Sequence, residues 1–270
     1  MSIYNKKDAF LIVLDTRNAT KYNNGNKLSN LDFEIAYPIR IPTDCIYMSW
    51  VVYSFTCHVS WYVINNTNNI LNVVVNGVTN SYFFEYGNYN VNTFLTLFKS
   101  TLPPTFDITF NQINNKYTIT NSSSEFILLA NSTIYNIIGL DKSVTEYSSS
   151  RTFTMPYPVN FGGINSFNIK CNTIRTDNLD SYENCSPSSI VACVPVYSAN
   201  NGVIFYEKKN DFEFTVKETI IDKINISIED DLRNELDFNN QPWNLCIQVN
   251  YAREINVDLK DDFHNVLGNY

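Results

Sequence analysis

Histidine, glycine and charge are all scarce in this chain, and each shortage removes a class of function. There are two histidines and eight glycines in 270 residues, and only 17% of the side chains are charged. A zinc site needs a cluster of Cys, His or carboxylate ligands at a recognisable spacing. The cysteines, Cys45, Cys57, Cys171, Cys185, Cys193 and Cys246, are scattered, with no C-x-x-C among them. So few glycines leave no loop to cradle a phosphate and no dinucleotide fingerprint, and G-x-S-x-G is absent. Without a run of about 18 apolar residues no membrane-spanning helix is expected. The start, Met1 to Phe10, lacks the apolar core of a secretory signal. The net charge of -8 argues against a large nucleic-acid footprint, which needs a basic stripe.

What is abundant is β-forming and polar but uncharged. Hydrophobic residues reach 44%, with 18 Tyr and 18 Phe, so the chain is globular and suited to half-buried pleated surfaces. A surface rich in Asn and Tyr and poor in charge fits an assembly better than a free monomer, although an AT-rich genome gives the same Asn bias. The cysteines mostly lie in strand-like runs, where a reduced Cys packs as a small hydrophobe.

The clearest strands are near the end. Ile224, Ile226 and Ile228 alternate with polar residues, as do Leu245, Ile247, Val249 and Tyr251. They read as the last strand pair of an antiparallel sandwich, around the acidic excursion Glu229 to Pro242 that closes on Trp243. Earlier, Ala9 to Leu14 is a short apolar run, either a strand or an arm laid on a neighbour. Leu31 to Ile41 alternates, and Pro38 within it points to an edge strand or a bulge. Cys45 to Ile64 reads as two strands with a bend near Cys57-His58.

The texture changes after Asn69. Asn76-Gly77 is a hairpin signal, with a second strand expected from Tyr82. Val91, Phe94, Leu95 and Phe98 lie at helical spacing behind the N-cap Asn90, and Pro103-Pro104 ends that helix. Phe106 to Phe110 and Lys116 to Thr120 form a second hairpin, and Ser132 to Gly139 a short helix ending at glycine. Thr145 to Ser150 and the stretch with Pro156, Pro158, Gly162 and Gly163 form the longest irregular connection. Strands resume at Ile164–Ile169, Ser188–Val196, Val203–Tyr206 and Phe212–Val216, the last two flanking a turn at Lys208-Lys209-Asn210.

The expected architecture is therefore mainly β: a jelly-roll antiparallel β-sandwich with an inserted small α+β module. Residues 1–69 supply an arm and the first strands, 70–145 the module, 146–255 the remaining strands, and 256–270 a tail that is loosely held or docks elsewhere. The alternative is two side-by-side β domains divided near Pro156.

Candidate chemistry is thin. Cys57 and His58 are neighbours on a strand and point to opposite faces, so a dyad forms only at a bend. His264 lies in a polar tail without evident ligands. Glu229, Asp230, Asp231, Glu235 and Asp237 are the densest carboxylates, yet they lack EF-hand spacing and its glycine and read as a solvated turn. Paired carboxylates for glycoside hydrolysis are assembled in space and leave no signature. No catalytic, cofactor-binding or metal-ligating residue is nominated, and the chain reads as a non-enzyme.

Several segments resemble a known family. Gly87-Asn88-Tyr89, FLTLFKSTL, FDITFNQINNKYTITN and the turn Ile137 to Asp141 resemble the minor (penton) capsid proteins of virophages, Polinton-like viruses and related large DNA viruses. So do INSFNIKCN, SSIVACVPV and INISIEDDLRNELDFNNQPWNLCIQV. The resemblance covers roughly Leu71 to Tyr251 and carries no named functional residues. It implies a jelly-roll subunit forming a homopentamer at the fivefold vertex, beside trimers of a major capsid protein. It also implies location in the virion after assembly inside the host cell. A fivefold ring is a heterologous contact that closes, so each subunit needs two different faces. The turn Glu229 to Pro242 is the first candidate for such a contact. A receptor- or carbohydrate-binding β-sandwich, another minor or cement capsid protein, and a β-sandwich enzyme are the other readings.

Overall fold

The computed structural model describes residues 3–147, 150–174, 179–180, 186–207 and 213–255. The tail from 256, His264, Cys185 and the turn at Lys208-Lys209-Asn210 lie outside the described residues. In chain order the strands begin with β1 (Ile3–Asp15), β2 (Lys21–Tyr22), β3 (Asn30–Arg40) and β4 (Tyr47–His58). Then come β5 (Ile70–Val75), β6 (Val78–Phe83), helix α1 (Val91–Thr101), β7 (Phe106–Asn111), β8 (Lys116–Asn121), β9 (Phe126–Leu128), helix α2 (Tyr135–Ile138) and β10 (Thr152–Thr154). The remainder is β11 (Ser166–Cys171), β12 (Leu179–Asp180), β13 (Ser186–Pro187), β14 (Ile190–Pro195), β15 (Val203–Glu207), β16 (Phe214–Val216), β17 (Ile220–Asp230) and β18 (Asn244–Ile255).

The chain divides into two compact units, Tyr62–Ile164 and the residues on either side of it. The inner unit is wider at both ends than 70–145. Ile64 bridges Gly87 at its start, and β10, between the two stretches expected to be irregular, pairs with β8.

The outer unit is a sandwich of two antiparallel sheets. One has the order β1-β18-β4-β15, with β16 also on β4; the other is β14-β11-β17-β3-β2. Alternation places one row of each strand inside: Ile224, Ile226 and Ile228 are buried, as are Leu245, Ile247 and Val249. β17 and β18 do not pair with each other, contrary to the strand-pair expectation. β17 lies between β11 and β3, and β18 between β1 and β4. The excursion between them crosses from one sheet to the other and carries Phe238 and Trp243, both fully buried, into the core. Trp243 packs on Phe55 and Phe33 at 5.7 and 6.2 Å between ring centroids. Its indole N–H donates to the Leu28 carbonyl at 2.7 Å.

Cys45 to Ile64 contains one long strand, β4, instead of two, and Pro38 lies at both an edge and a bulge. β2 pairs only with Leu31 and Asp32 of β3. Further along, the register slips, so that Ile35 to Pro38 loop out opposite Asp222.

The inner unit has two small sheets, β6-β5-β9 and β10-β8-β7. β5 and β6 turn on Asn76 and Gly77 at φ 51° and 76°, and β6 begins at once at Val78, earlier than expected. Helix α1 is held by a reciprocal cap between Asn90 and Thr93 and buries Phe94 and Phe98. Tyr117 of β8 packs on both rings and donates its hydroxyl to the Val91 carbonyl at 2.9 Å, fixing the helix to the sheet. Burial pushes the Tyr117 hydroxyl pKa up. α2 ends at Gly139, φ 86°, where an added Cβ would stand 2.1 Å from the Tyr157 carbonyl oxygen. Only glycine fits there.

Candidate assembly surface

Of the residues that offered chemistry in the sequence, Cys57 and the acidic run are taken up by the fold. Cys57 is buried and its thiol is pushed up to about 12 by that burial, while His58 is exposed at the strand end. Neighbouring positions on β4 face opposite ways, and no dyad forms.

The acidic run is folded onto its own chain. Asp230 accepts from the backbone N–H of Leu232 and Asn234 at 2.9 and 2.8 Å, closing the turn. Glu229 pairs with Lys170 at 3.2 Å, Glu235 accepts from Asn24 and Asn30, and Asp237 accepts from the Asn239 N–H. Burial raises the Asp231 carboxyl above its ordinary range, and the Asp230 charge adds to the shift. Among the described residues no group of three or more His, Cys, Asp or Glu is placed to hold a metal ion. Of the turn proposed for contact, Leu236, Phe238 and Trp243 are buried, and Leu232 is the large apolar side chain left exposed.

The outward face of the β17 sheet is a polar lattice. Asn225 donates to Asp32 at 2.6 Å and accepts from Asn172 at 2.7 Å, and Lys223 pairs with the second Asp32 oxygen at 2.7 Å. Burial works to raise the Asp32 pKa, but the bonds from Lys223, Asn225 and Asn23 outweigh it and hold the carboxyl below its usual range. Side chains already bonded to one another present little free capacity, so this face is self-contained.

The other sheet is different. β1 is its first strand, and among the described residues nothing but β18 pairs with it. Leu14 faces the core, but Leu11 and Val13, on the opposite face, are 53% and 69% exposed, and Phe10 is exposed at the rim. From Ala9 to Leu14 there is neither charge nor proline. An exposed, uncharged apolar edge is what soluble proteins ordinarily avoid. At the opposite edge β15 exposes Val203 and Phe205 on the outward face. Here the backbone is blunted: the Tyr197 hydroxyl accepts from the Phe205 N–H at 3.1 Å and donates to the Phe205 carbonyl, and Ser198 donates to the Val203 carbonyl at 2.8 Å.

No family profile and no curated protein matches the sequence. Among solved structures, the SeMet-labelled mavirus penton protein superposes with a TM-score of 0.50. That alignment covers 92% of this chain and 100% of the other at 13% identity. The fold is that of the mavirus penton protein. The resemblance read from the residues is thereby borne out at the level of fold: mainly β, a jelly-roll sandwich with a small helical insert. VP17, a capsid protein of bacteriophage P23-77, aligns over 93% of this chain and 99% of its own, at 8% identity, but a TM-score of 0.20 gives it no weight.

Within this fold the large exposed apolar groups of the first sheet are the feature that sequence reading reached only in part, through the strand or arm at Ala9 to Leu14. The run Ala9 to Leu14 was visible. Its signal was that apolar residues occupy both faces, where a half-buried strand would alternate. Tyr37, 88% exposed on the β3 bulge, gave no signal beyond its neighbour Pro38. No helix among the described residues is long and apolar enough to cross a membrane.

Proposed function

We propose that this chain is a structural subunit of a viral capsid. It assembles as a homopentamer at the fivefold vertex, beside a major capsid protein, and resides in the virion. The carrying observation is the agreement of fold with the mavirus penton protein over the full length of that protein. The surface chemistry supports the reading. Carboxylates in the densest acidic run are engaged in turns and ion pairs, buried thiols are held protonated, and large apolar side chains stand exposed on the sheet at both edges. These features suit packing between subunits. A net charge of -8 fits contact with protein better than contact with nucleic acid.

Light scattering on the purified full chain, with electron microscopy of the same fractions, tests this. The expected result is a species of about five times the 31.1 kDa subunit mass, seen as fivefold rings. A monodisperse monomer at every concentration overturns it.

A further inference from the structure

The two edges of the β1-β18-β4-β15 sheet are unlike, and a closed ring needs two unlike contacts on every subunit. We propose that the β1 edge of one copy, through Leu11 and Val13, packs against the Tyr197, Val203 and Phe205 edge of the next copy. This rests on the penton reading and names the surfaces which that reading leaves open.

The first argument is the contrast between the edges. The chain blunts β15 with the Tyr197 and Ser198 side chains. Within β1 the uncharged apolar stretch is Ala9 to Leu14, about 20 Å at the usual rise of a strand, and among the described residues no side chain bonds to the backbone there. An exposed edge with an apolar, uncharged stretch of this kind is a ready template for another chain. The second argument identifies the cover. Val203 to Tyr206 is also uncharged, and Val203, Phe205 and Tyr197 are 48%, 56% and 65% exposed. Tyr and Phe are the residue types that anchor protein interfaces.

Strand direction makes the third argument. β1 is antiparallel to β18, β18 to β4, and β4 to β15, so β1 and β15 run in opposite senses. Copies related by rotation about an axis along the strands therefore bring β1 and β15 together antiparallel, the favoured sense. Opposite edges of one sheet meeting head to tail leave a fresh edge at each step until the ring closes. A β1-to-β1 contact would stop at two copies. Since Tyr197 and Ser198 already occupy the outward groups of β15, the contact is made by side chains laid across the edges.

The test uses two full-length variants, Leu11→Glu/Val13→Glu and Phe205→Glu, each carrying charge on one edge only. All three positions are exposed, and unchanged tryptophan fluorescence checks the fold. Light scattering should give the wild-type oligomer and a monomer for each variant alone. Mixing the two should give a heterodimer of twice the subunit mass, because one intact contact survives. Hydrogen exchange on wild-type protein reads the same contact without substitution: residues 9–15 and 197–207 should exchange at least several-fold slower in the oligomer than after dilution to monomer. Variants that keep the wild-type oligomer, a mixture that stays monomeric, or unprotected edges in an intact oligomer overturn this contact and leave the penton reading standing. A wild type that never oligomerises overturns both.

Discussion

Replacing Trp243 by alanine tests whether the crossing between β17 and β18 holds the sandwich together. The side chain is fully buried against Phe33 and Phe55. Truncating a buried tryptophan to alanine costs about 3–5 kcal/mol through lost transfer energy and the cavity left behind. Part of that cost is polar. The indole N–H bonds the carbonyl of Leu28, a buried residue held at φ 60°, and losing the donor leaves a buried acceptor unsatisfied, worth about 1–3 kcal/mol. Trp243→Phe isolates that share, and Trp50→Phe is its control. The Trp50 indole N–H is buried with no hydrogen-bond partner among the described residues, so its loss strands none of them. The assay is equilibrium urea unfolding followed by tryptophan fluorescence. All three tryptophans, Trp50, Trp61 and Trp243, belong to the outer unit, so the signal reports that unit alone. With a slope of about 2 kcal/mol/M, a loss of about 4 kcal/mol lowers the midpoint by about 2 M. Trp243→Phe should fall below Trp50→Phe by about 0.5–1.5 M. A midpoint for Trp243→Ala within about 0.3 M of wild type, or equal midpoints for the two phenylalanine variants, refutes the reasoning.

Gly139→Ala forces a positive φ on alanine and drives its Cβ into the Tyr157 carbonyl, costing roughly 2–6 kcal/mol; faster hydrogen exchange across 126–160 of the inner unit checks it. The depressed Asp32 carboxyl contributes stability at pH above its unfolded value near 4, and this is lost as pH falls through the lower folded value. Between about pH 6 and pH 3, wild type should therefore lose more urea resistance than Asp32→Asn, and equal losses would show that the lattice on that face is energetically idle. Alkylation at about pH 8 followed by mass spectrometry should label exposed Cys193 first and spare Cys57 and Cys171, both pushed up to about 12 by burial, until the protein unfolds. Labelling of Cys171 in folded protein would contradict its place in the core.

The sequence carried the elements better than their partners. Period-2 alternation named the inward rows of β17 and β18, and the Asn90 cap and Gly139 stop named both helices, because these are local consequences of backbone geometry. Which strands neighbour each other is decided by packing across hundreds of residues, and alternation is silent on it. Hence β17 and β18 read as a pair, when their alternating rows face one another from opposite sheets. The turn between them attracted interest for its acidic residues, yet its carboxylates serve its own closure. The edge that stands exposed was visible only as a run without alternation, a pattern shared by fully buried strands. Exposure is a property of what is missing beside a strand, and a sequence does not display that.

The pairing of the first strand with the last has a consequence for synthesis. Ile3 is matched to Ile255 and Asp15 to Asn244, so among the described residues β1 has no strand partner until residues 244–255 have been made. At about 5–20 residues per second, translating from Asp15 to Asn244 takes roughly 10–50 s. Within that time the inner unit, whose pairings are local, is completed and can fold, while the apolar N-terminal segment waits in an unfinished sandwich. Closure of the sheet is thus a late event of high contact order. A nascent chain carries its most sticky strand long before it carries the strand that gives it shape, which makes the ribosome-bound stage its point of greatest exposure to aggregation and to chaperones.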